Sequence, residues 1–244
     1  MVRKCLLFLL LISLLPLQAQ EEVKKEQPVE KFYEYIKKPY GNEYFLFRLG
    51  LNAGGSYLLN LKNDSWPEAY SKHKQRMSLG ILISSELSFY AFPRYGIGVK
   101  YFFFQSSSQS NNIEVPNIQK NGLMEENMRL HFIGPYVFTR LSGKKNKRAV
   151  VLGLSVGSYF YDSMIETADK RLYKGNSYGI LLDLGYEFQI KKNIDLALSI
   201  AYSRGFIKKI SQKTVRRIET IELDQPNFID LSRVDITLGI RYQK

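Results

Sequence analysis

The 244-residue sequence contains only two histidines, His73 and His131, so acid–base or metal chemistry near neutral pH would have to start from one of them. His73 stands among Lys72, Lys74 and Arg76, whereas His131 sits in the alternating stretch Leu130-His131-Phe132. Neither has a second histidine at metal-ligand spacing. A serine beside His131 would form a nucleophile–base pair only if a third group oriented the ring. No local histidine–serine signature supplies that arrangement, and His131 reads as a packed residue on an inward strand face. The one cysteine, Cys5, precedes the first apolar run, so a disulfide, a thiolate metal site and lipidation after that run are all unexpected. The expectation is therefore no catalytic, cofactor-binding or metal-binding residue, no cofactor and no enzymatic activity.

Charge offers a second kind of chemistry. Lys and Arg number 35 against 23 Asp and Glu, a formal net charge of +12, which fits a nucleic acid or an anionic membrane surface. The cations gather at Lys144-Lys145-Asn146-Lys147-Arg148 and at Lys208, Lys209, Lys213, Arg216 and Arg217. Glu219, Glu222 and Asp224 follow the second group, and no aromatic stacking platform accompanies either, so nucleic acid is not expected. Arg3 and Lys4, the apolar run Leu6–Leu17 and Leu17-Gln18-Ala19 read as a cleaved signal peptide over residues 1–20. Its removal takes the charge from +12 to +10 and leaves about 224 residues. Residues 21–43 read as a polar leader that turns aromatic around Phe32, Tyr33, Tyr35 and Tyr40. No later stretch approaches the roughly twenty apolar residues of a membrane helix.

The elements that must position these groups are strands. Period-two alternation marks eight segments, 44–58, 76–91, 95–105, 127–141, 149–161, 177–190, 194–206 and 229–243. Each reaches the nine to eleven residues that a tilted strand needs to cross a bilayer, about twice a usual soluble strand. Short connections at Phe92-Pro93-Arg94, Ser142–Arg148 and Lys191-Lys192-Asn193 alternate with long ones at Leu59–Gln75, Ser106–Glu126, Asp162–Asn176 and Ile207–Phe228. Such alternation, with an even strand number, is the plan of an outer-membrane barrel.

Apolar residues collect on one parity, for example Leu79, Ile81, Ile83, Leu87 and Phe89, or Val234, Ile236, Leu238, Ile240 and Tyr242. Aromatics on that parity sort to the two strand ends. Phe45, Phe89, Tyr95, Tyr136, Phe138, Phe188 and Tyr242 lie toward the short turns, and Tyr57, Tyr101, Phe103, Phe160, Tyr178 and Tyr202 toward the long loops. Two such belts match the two membrane interfaces, so the apolar face is expected outside. The opposite parity is rich in glycine and serine, as a narrow interior requires. It also carries Arg48, Lys100, Arg129, Arg233 and Arg241 against Glu86, Asp183, Glu187, Asp195 and Asp235, which predicts a neutral, ion-paired plug. Pro135 inside the fourth segment predicts a bulge or an irregular ladder.

Phe132-Ile-Gly-Pro-Tyr-Val137, Val151-Leu-Gly-Leu-Ser-Val-Gly157 and the last strand Val234-Asp-Ile-Thr-Leu-Gly-Ile-Arg-Tyr242 resemble the small eight-stranded outer-membrane β-barrel superfamily that groups the OmpA transmembrane domain, OmpX-like and OmpW-like proteins. The resemblance spans about 200 residues through the topology. It implies an all-β fold, an eight-stranded antiparallel up-and-down transmembrane barrel over 44–244, with both barrel ends on the periplasmic side. The last strand is similar to the signal read by the outer-membrane insertion machinery, although Gln243 and Lys244 follow its terminal aromatic. No peptidoglycan-binding segment is expected. The resemblance further implies a monomer in contact with outer-membrane lipid or lipopolysaccharide, acting structurally or through its external loops. A lipid A-modifying enzyme and a narrow passage for apolar molecules are the alternatives.

Overall fold

The computed structural model describes residues 47–59, 68–92, 94–111, 123–142, 147–167, 170–214, 218–223 and 228–244, all within the compact unit Pro39–Lys244. The expected signal peptide, the leader and Phe45 lie outside them. In chain order the elements are β1 (Phe47–Leu58), α1 (Glu68–Met77), β2 (Leu79–Phe92), β3 (Tyr95–Ser110), β4 (Met124–Ser142), β5 (Arg148–Glu166), β6 (Lys170–Lys191) and β7 (Ile194–Ile207). Three short pieces follow, β8 (Lys209–Lys213), β9 (Ile218–Glu222) and β10 (Ile229–Asp230), before β11 (Arg233–Gln243).

Strands β1 to β7 pair antiparallel in sequence order, and β11 pairs with both β7 and β1, which closes an eight-stranded ring. Closure leaves the ring no free strand edge, the condition for placing sheet in hydrocarbon. The barrel's two ends meet at one rim, where the Phe47 N–H donates to the Lys244 carbonyl at 2.9 Å. That rim also holds the short turns; the opposite rim is called here the loop end.

The apolar parity faces out. Ile81 is 69 % exposed and Leu238 60 %, while the intervening Leu82 and Gly239 face in. Such residues encircle the barrel, far more apolar surface than a soluble monomer exposes. Phe89, Tyr95, Phe188 and Tyr242 form one aromatic belt, and Tyr57, Tyr101, Phe160, Tyr178 and Tyr202 the other. Between Phe188 and Tyr178 the strand rises about 34 Å, or about 26 Å along the axis at a usual tilt, which matches the apolar band of such barrels. Among the described residues no helix is long and apolar enough to cross a membrane.

Three expectations are corrected. Strand β4 is inverted: Tyr136 and Phe138 are buried inside, with Leu130 and Phe132, whereas Arg129 and His131 lie on the outward parity. Both faces of this strand carry apolar residues, so alternation alone could not orient it. Secondly, the connection expected at Asp162–Asn176 is mostly sheet, because β5 and β6 pair without a break from Arg148↔Phe188 to Glu166↔Lys170. Hydrophobic alternation fades above the membrane, but the hydrogen-bond ladder continues. β8 and β9 extend the same sheet beside the outer part of β6. Thirdly, the expected start of strand two at residue 76 is the end of α1, a helix with Glu68 in its first turn and Lys74 and Arg76 in its last, in accord with its dipole. At Pro135 the β4–β5 ladder lacks the pairs at Gly134 and Pro135 but resumes in the same register, an interruption without a bulge.

Candidate functional site

The interior has two halves. At the termini end Arg48, from β1, reaches across the barrel to Glu187 of β6 at 2.5 and 3.1 Å and donates to Glu86 of β2 at 2.7 Å. Arg140 donates to Glu187 at 3.1 Å and to Asp195 at 3.3 Å, and Arg241 approaches Glu86 at 3.1 Å. Gln243 donates to Asp195 at 2.5 Å and accepts from the Tyr90 hydroxyl at 2.8 Å. Farther in, Lys100 pairs with Asp183, which also accepts from the Tyr136 hydroxyl at 3.1 Å. Two changes meet the expected set of five cations and five anions: Arg140 stands inside where Arg129 was expected, and Glu126 is a further buried anion, answered by Lys74 of α1. Pairing of this density is what permits charge to be buried at all.

The loop-end half is apolar. Phe102, Phe104, Leu130, Phe132, Tyr159 and Leu181 pack with Leu58 and Met77. Arg233 lies over the Phe102 ring at 3.6 Å and donates to Ser203 at 3.1 Å, with Asp235 at 3.2 Å. Glycines make room for the large groups: a Cβ on Gly153 would fall 2.3 Å from the Tyr136 hydroxyl, and one on Gly80 2.4 Å from Phe104. The cavity between Arg48, Glu86, Phe102, Tyr136 and Asp235 measures about 20 Å³, room for roughly one water.

Above this core α1 lies across the loop end and carries the cluster that the sequence did not disclose. His73 is fully buried, with Nδ1 2.9 Å from Ser110 Oγ and 3.3 Å from Ser108 Oγ, and Nε2 3.4 Å from Glu126 Oε2. The last distance is long for a hydrogen bond. Lys74 donates to both Glu126 oxygens at 2.6 and 2.7 Å, and Ser163 donates to Oε1 at 3.0 Å. Burial alone would raise the Glu126 carboxyl, but the Lys74 charge, with the hydrogen bonds from Lys74 and Ser163 and the nearby His73 ring, overcomes it and holds the group down to about 2. The one available signal was Tyr70, His73 and Met77 at helical spacing in the first loop.

The other histidine is elsewhere. His131 Nδ1 is 2.9 Å from the Tyr101 hydroxyl, and its ring is 4.9 Å from that of Phe103, so it belongs to the outer belt at the loop-end interface. One layer above, cross-strand register aligns Gln105, Arg129, Asp162, Lys174, Ser211 and Thr220 on the outward parity. An open groove of about 410 Å³ runs along part of this row, between Phe160, Lys174, Asn176 and Lys209. Lys174 stands 3.5 Å from Asp162, and Lys209 pairs with Glu222 at 2.5 Å. Lys144, Lys145, Asn146, Arg216 and Arg217 lie outside the described residues. Among the described residues no group of three or more His, Cys, Asp or Glu is placed to hold a metal ion.

Ring closure, an apolar exterior between two aromatic belts and a filled interior define a transmembrane β-barrel. Its fold is the eight-stranded antiparallel barrel that the sequence resemblance implied. A major outer membrane protein from Thermus thermophilus is similar over 81 % of this chain and 99 % of its own, at 11 % identity and a TM-score of 0.52. Neisserial surface protein A aligns over 81 % of this chain and 97 % of its own, at 12 % identity and a TM-score of 0.48. Ail, the attachment invasion locus protein of Yersinia pestis, aligns over 82 % and 99 %, at 13 % identity and a TM-score of 0.42. No protein-family model and no curated protein matches the chain.

Proposed function

We propose that this protein is a closed barrel of the outer membrane that works through its loop end, in a structural or surface-interaction role, and not as a conduit. The observation that carries this reading is the interior, crossed by the ion-pair network and the aromatic core, with a cavity of about 20 Å³ between them. Eight strands leave an interior that side chains just fill. The cross-barrel ion pairs and the aromatic packing stand in the way of a passage for small apolar molecules. The short-turn rim faces the periplasm, and the extended β5–β6–β8–β9 sheet stands outside.

The outward polar row suits contact with anionic outer-leaflet lipid. Arg129 and Lys174 stand one layer above Phe160 and His131, the height at which phosphates and sugars meet the hydrocarbon boundary. Groove groups of aromatic, amide, hydroxyl and ammonium type match that headgroup chemistry. The test is thermal unfolding of the refolded chain in vesicles with and without lipopolysaccharide. Lipopolysaccharide should raise the midpoint for the native chain and not for Arg129→Gln/Lys174→Gln. An equal rise in both would remove the proposed contact.

A further inference from the structure

The cluster beneath α1 does more than hold a helix in place. Ser110 Oγ and Glu126 Oε2 address opposite nitrogens of one imidazole, at 2.9 Å from Nδ1 and 3.4 Å from Nε2 of His73. Serine acyl transfer needs this relation: a hydroxyl against one nitrogen, and an acceptor on the other that sets the tautomer and stabilises the imidazolium. His73 Nε2 is buried without a hydrogen-bond partner and faces Glu126 Oε2, and the tautomer that turns Nε2–H toward this carboxylate leaves Nδ1 to accept the serine proton. Three separate elements, β3, α1 and β4, supply the three groups. A fourth group faces the hydroxyl: Arg76 Nη1, on the exposed side of α1, is 3.4 Å from Ser110 Oγ and 3.4 Å from the Gln109 carbonyl. Ser110 is partly exposed at the loop-end rim, whereas Ser108, 3.3 Å from the same nitrogen, is buried.

We propose that Ser110, His73 and Glu126 form a serine-type esterase centre at the loop end, open to carboxylic esters outside the cell, with Arg76 stabilising the oxyanion. Ser110 Oγ forms a bond to the ester carbonyl carbon as its proton passes to His73 Nδ1, and the carbonyl oxygen takes the negative charge beside Arg76. The intermediate collapses with cleavage of the bond to the alkoxy oxygen, which leaves as the alcohol with the proton from His73. Water then attacks the acyl-serine, releases the carboxylic acid and restores Ser110. Glu126 is a positioning residue, held in turn by Lys74 and Ser163. A separate reading gives the same contacts a purely structural duty, the pinning of α1 to the rim, and the two differ in reactivity.

The full chain is refolded in a detergent without ester bonds, and its folded state is checked by heat-modifiable gel mobility. It is then treated with a fluorophosphonate probe and, separately, with p-nitrophenyl butyrate. The expected result is a phosphonyl adduct mapped to Ser110 by mass spectrometry, with slow ester turnover. Ser110→Ala and His73→Asn should each lower turnover at least about 100-fold, the contribution usual for a nucleophile or general base. Ser108→Ala should retain both labelling and turnover. Glu126→Gln should displace the acid limb of the pH profile of labelling, a shift that loosening of α1 alone would not produce. Folded protein that takes no label, or turnover that survives Ser110→Ala, would overturn the proposal. Neither result touches the lipid-contact reading, which is measured on other residues.

Discussion

Glu187 accepts from Arg48 at 2.5 and 3.1 Å and from Arg140 at 3.1 Å, and Arg241 stands 3.7 Å away. Replacing it with glutamine would leave these guanidinium groups buried with too little negative charge. Removal of one partner from a buried pair costs about 3–5 kcal/mol, since the remaining charge stays desolvated. Glu187→Gln should therefore lower the unfolding free energy by about that amount in urea titrations followed by circular dichroism. Gly54 tests a steric limit instead. A Cβ there would lie 2.0 Å from the Ile236 carbonyl oxygen and 2.7 Å from the Thr237 Cα, both backbone atoms that cannot swing aside. Gly54→Val should reduce the heat-modifiable folded fraction, with overpacking of about 1–3 kcal/mol or more. The larger effect should follow Gly54, not Gly55, whose Cβ would meet nothing within 4 Å.

Among the elements, α1 is held at the loop end by a titratable cluster. Glu126 is depressed to about 2 in the folded protein, below the ordinary value of 4.5. A depressed carboxyl contributes stability above its unfolded value and loses it as pH falls toward the folded one. The hold of Glu126 on Lys74 and His73 should therefore be intact above about pH 5 and weaken between about pH 4 and 2. Hydrogen exchange over Glu68–Met77, corrected for intrinsic rates, should accelerate in that window while the barrel strands stay protected. Glu126→Gln should produce the same local loosening at neutral pH. Unchanged exchange in both cases would mean that Met77, seated in the apolar core, holds the helix without the polar cluster. The strands respond differently, since each is locked on two sides by its neighbours.

For the whole molecule, the filled interior sets the expectation in a planar bilayer. The refolded chain should give no stepwise conductance, because ion passage would require the Arg48–Glu187 contact to part along with the aromatic packing above it. Sustained current in the native protein would contradict the closed interior. The charge distribution serves the same design: interior charges pair with one another across the lumen, so they add little to the basic excess of the chain.

Period-two alternation marked the eight strands of the ring, and the aromatic belts with the alternating loop lengths determined the outward face of seven of them. Lipid outside and tight packing inside impose different residue types on alternate positions, and that contrast is written locally in each segment. Strand β4 escaped because the apolar core reaches its inner face: Leu130, Phe132, Tyr136 and Phe138 inside look no different in sequence from Ile133 and Val137 outside. Arg140 in place of Arg129 followed from that inversion. The extended outer sheet escaped because polar strands above the membrane pair through backbone hydrogen bonds and leave no hydrophobic contrast to read. The loop-end cluster was beyond any local pattern. His73 and Ser110 are 37 residues apart and meet only once α1 settles over β3 and β4. Tertiary structure alone decided that meeting, because burial of Met77 in the core places α1, and α1 carries His73 to the serines and the carboxylate.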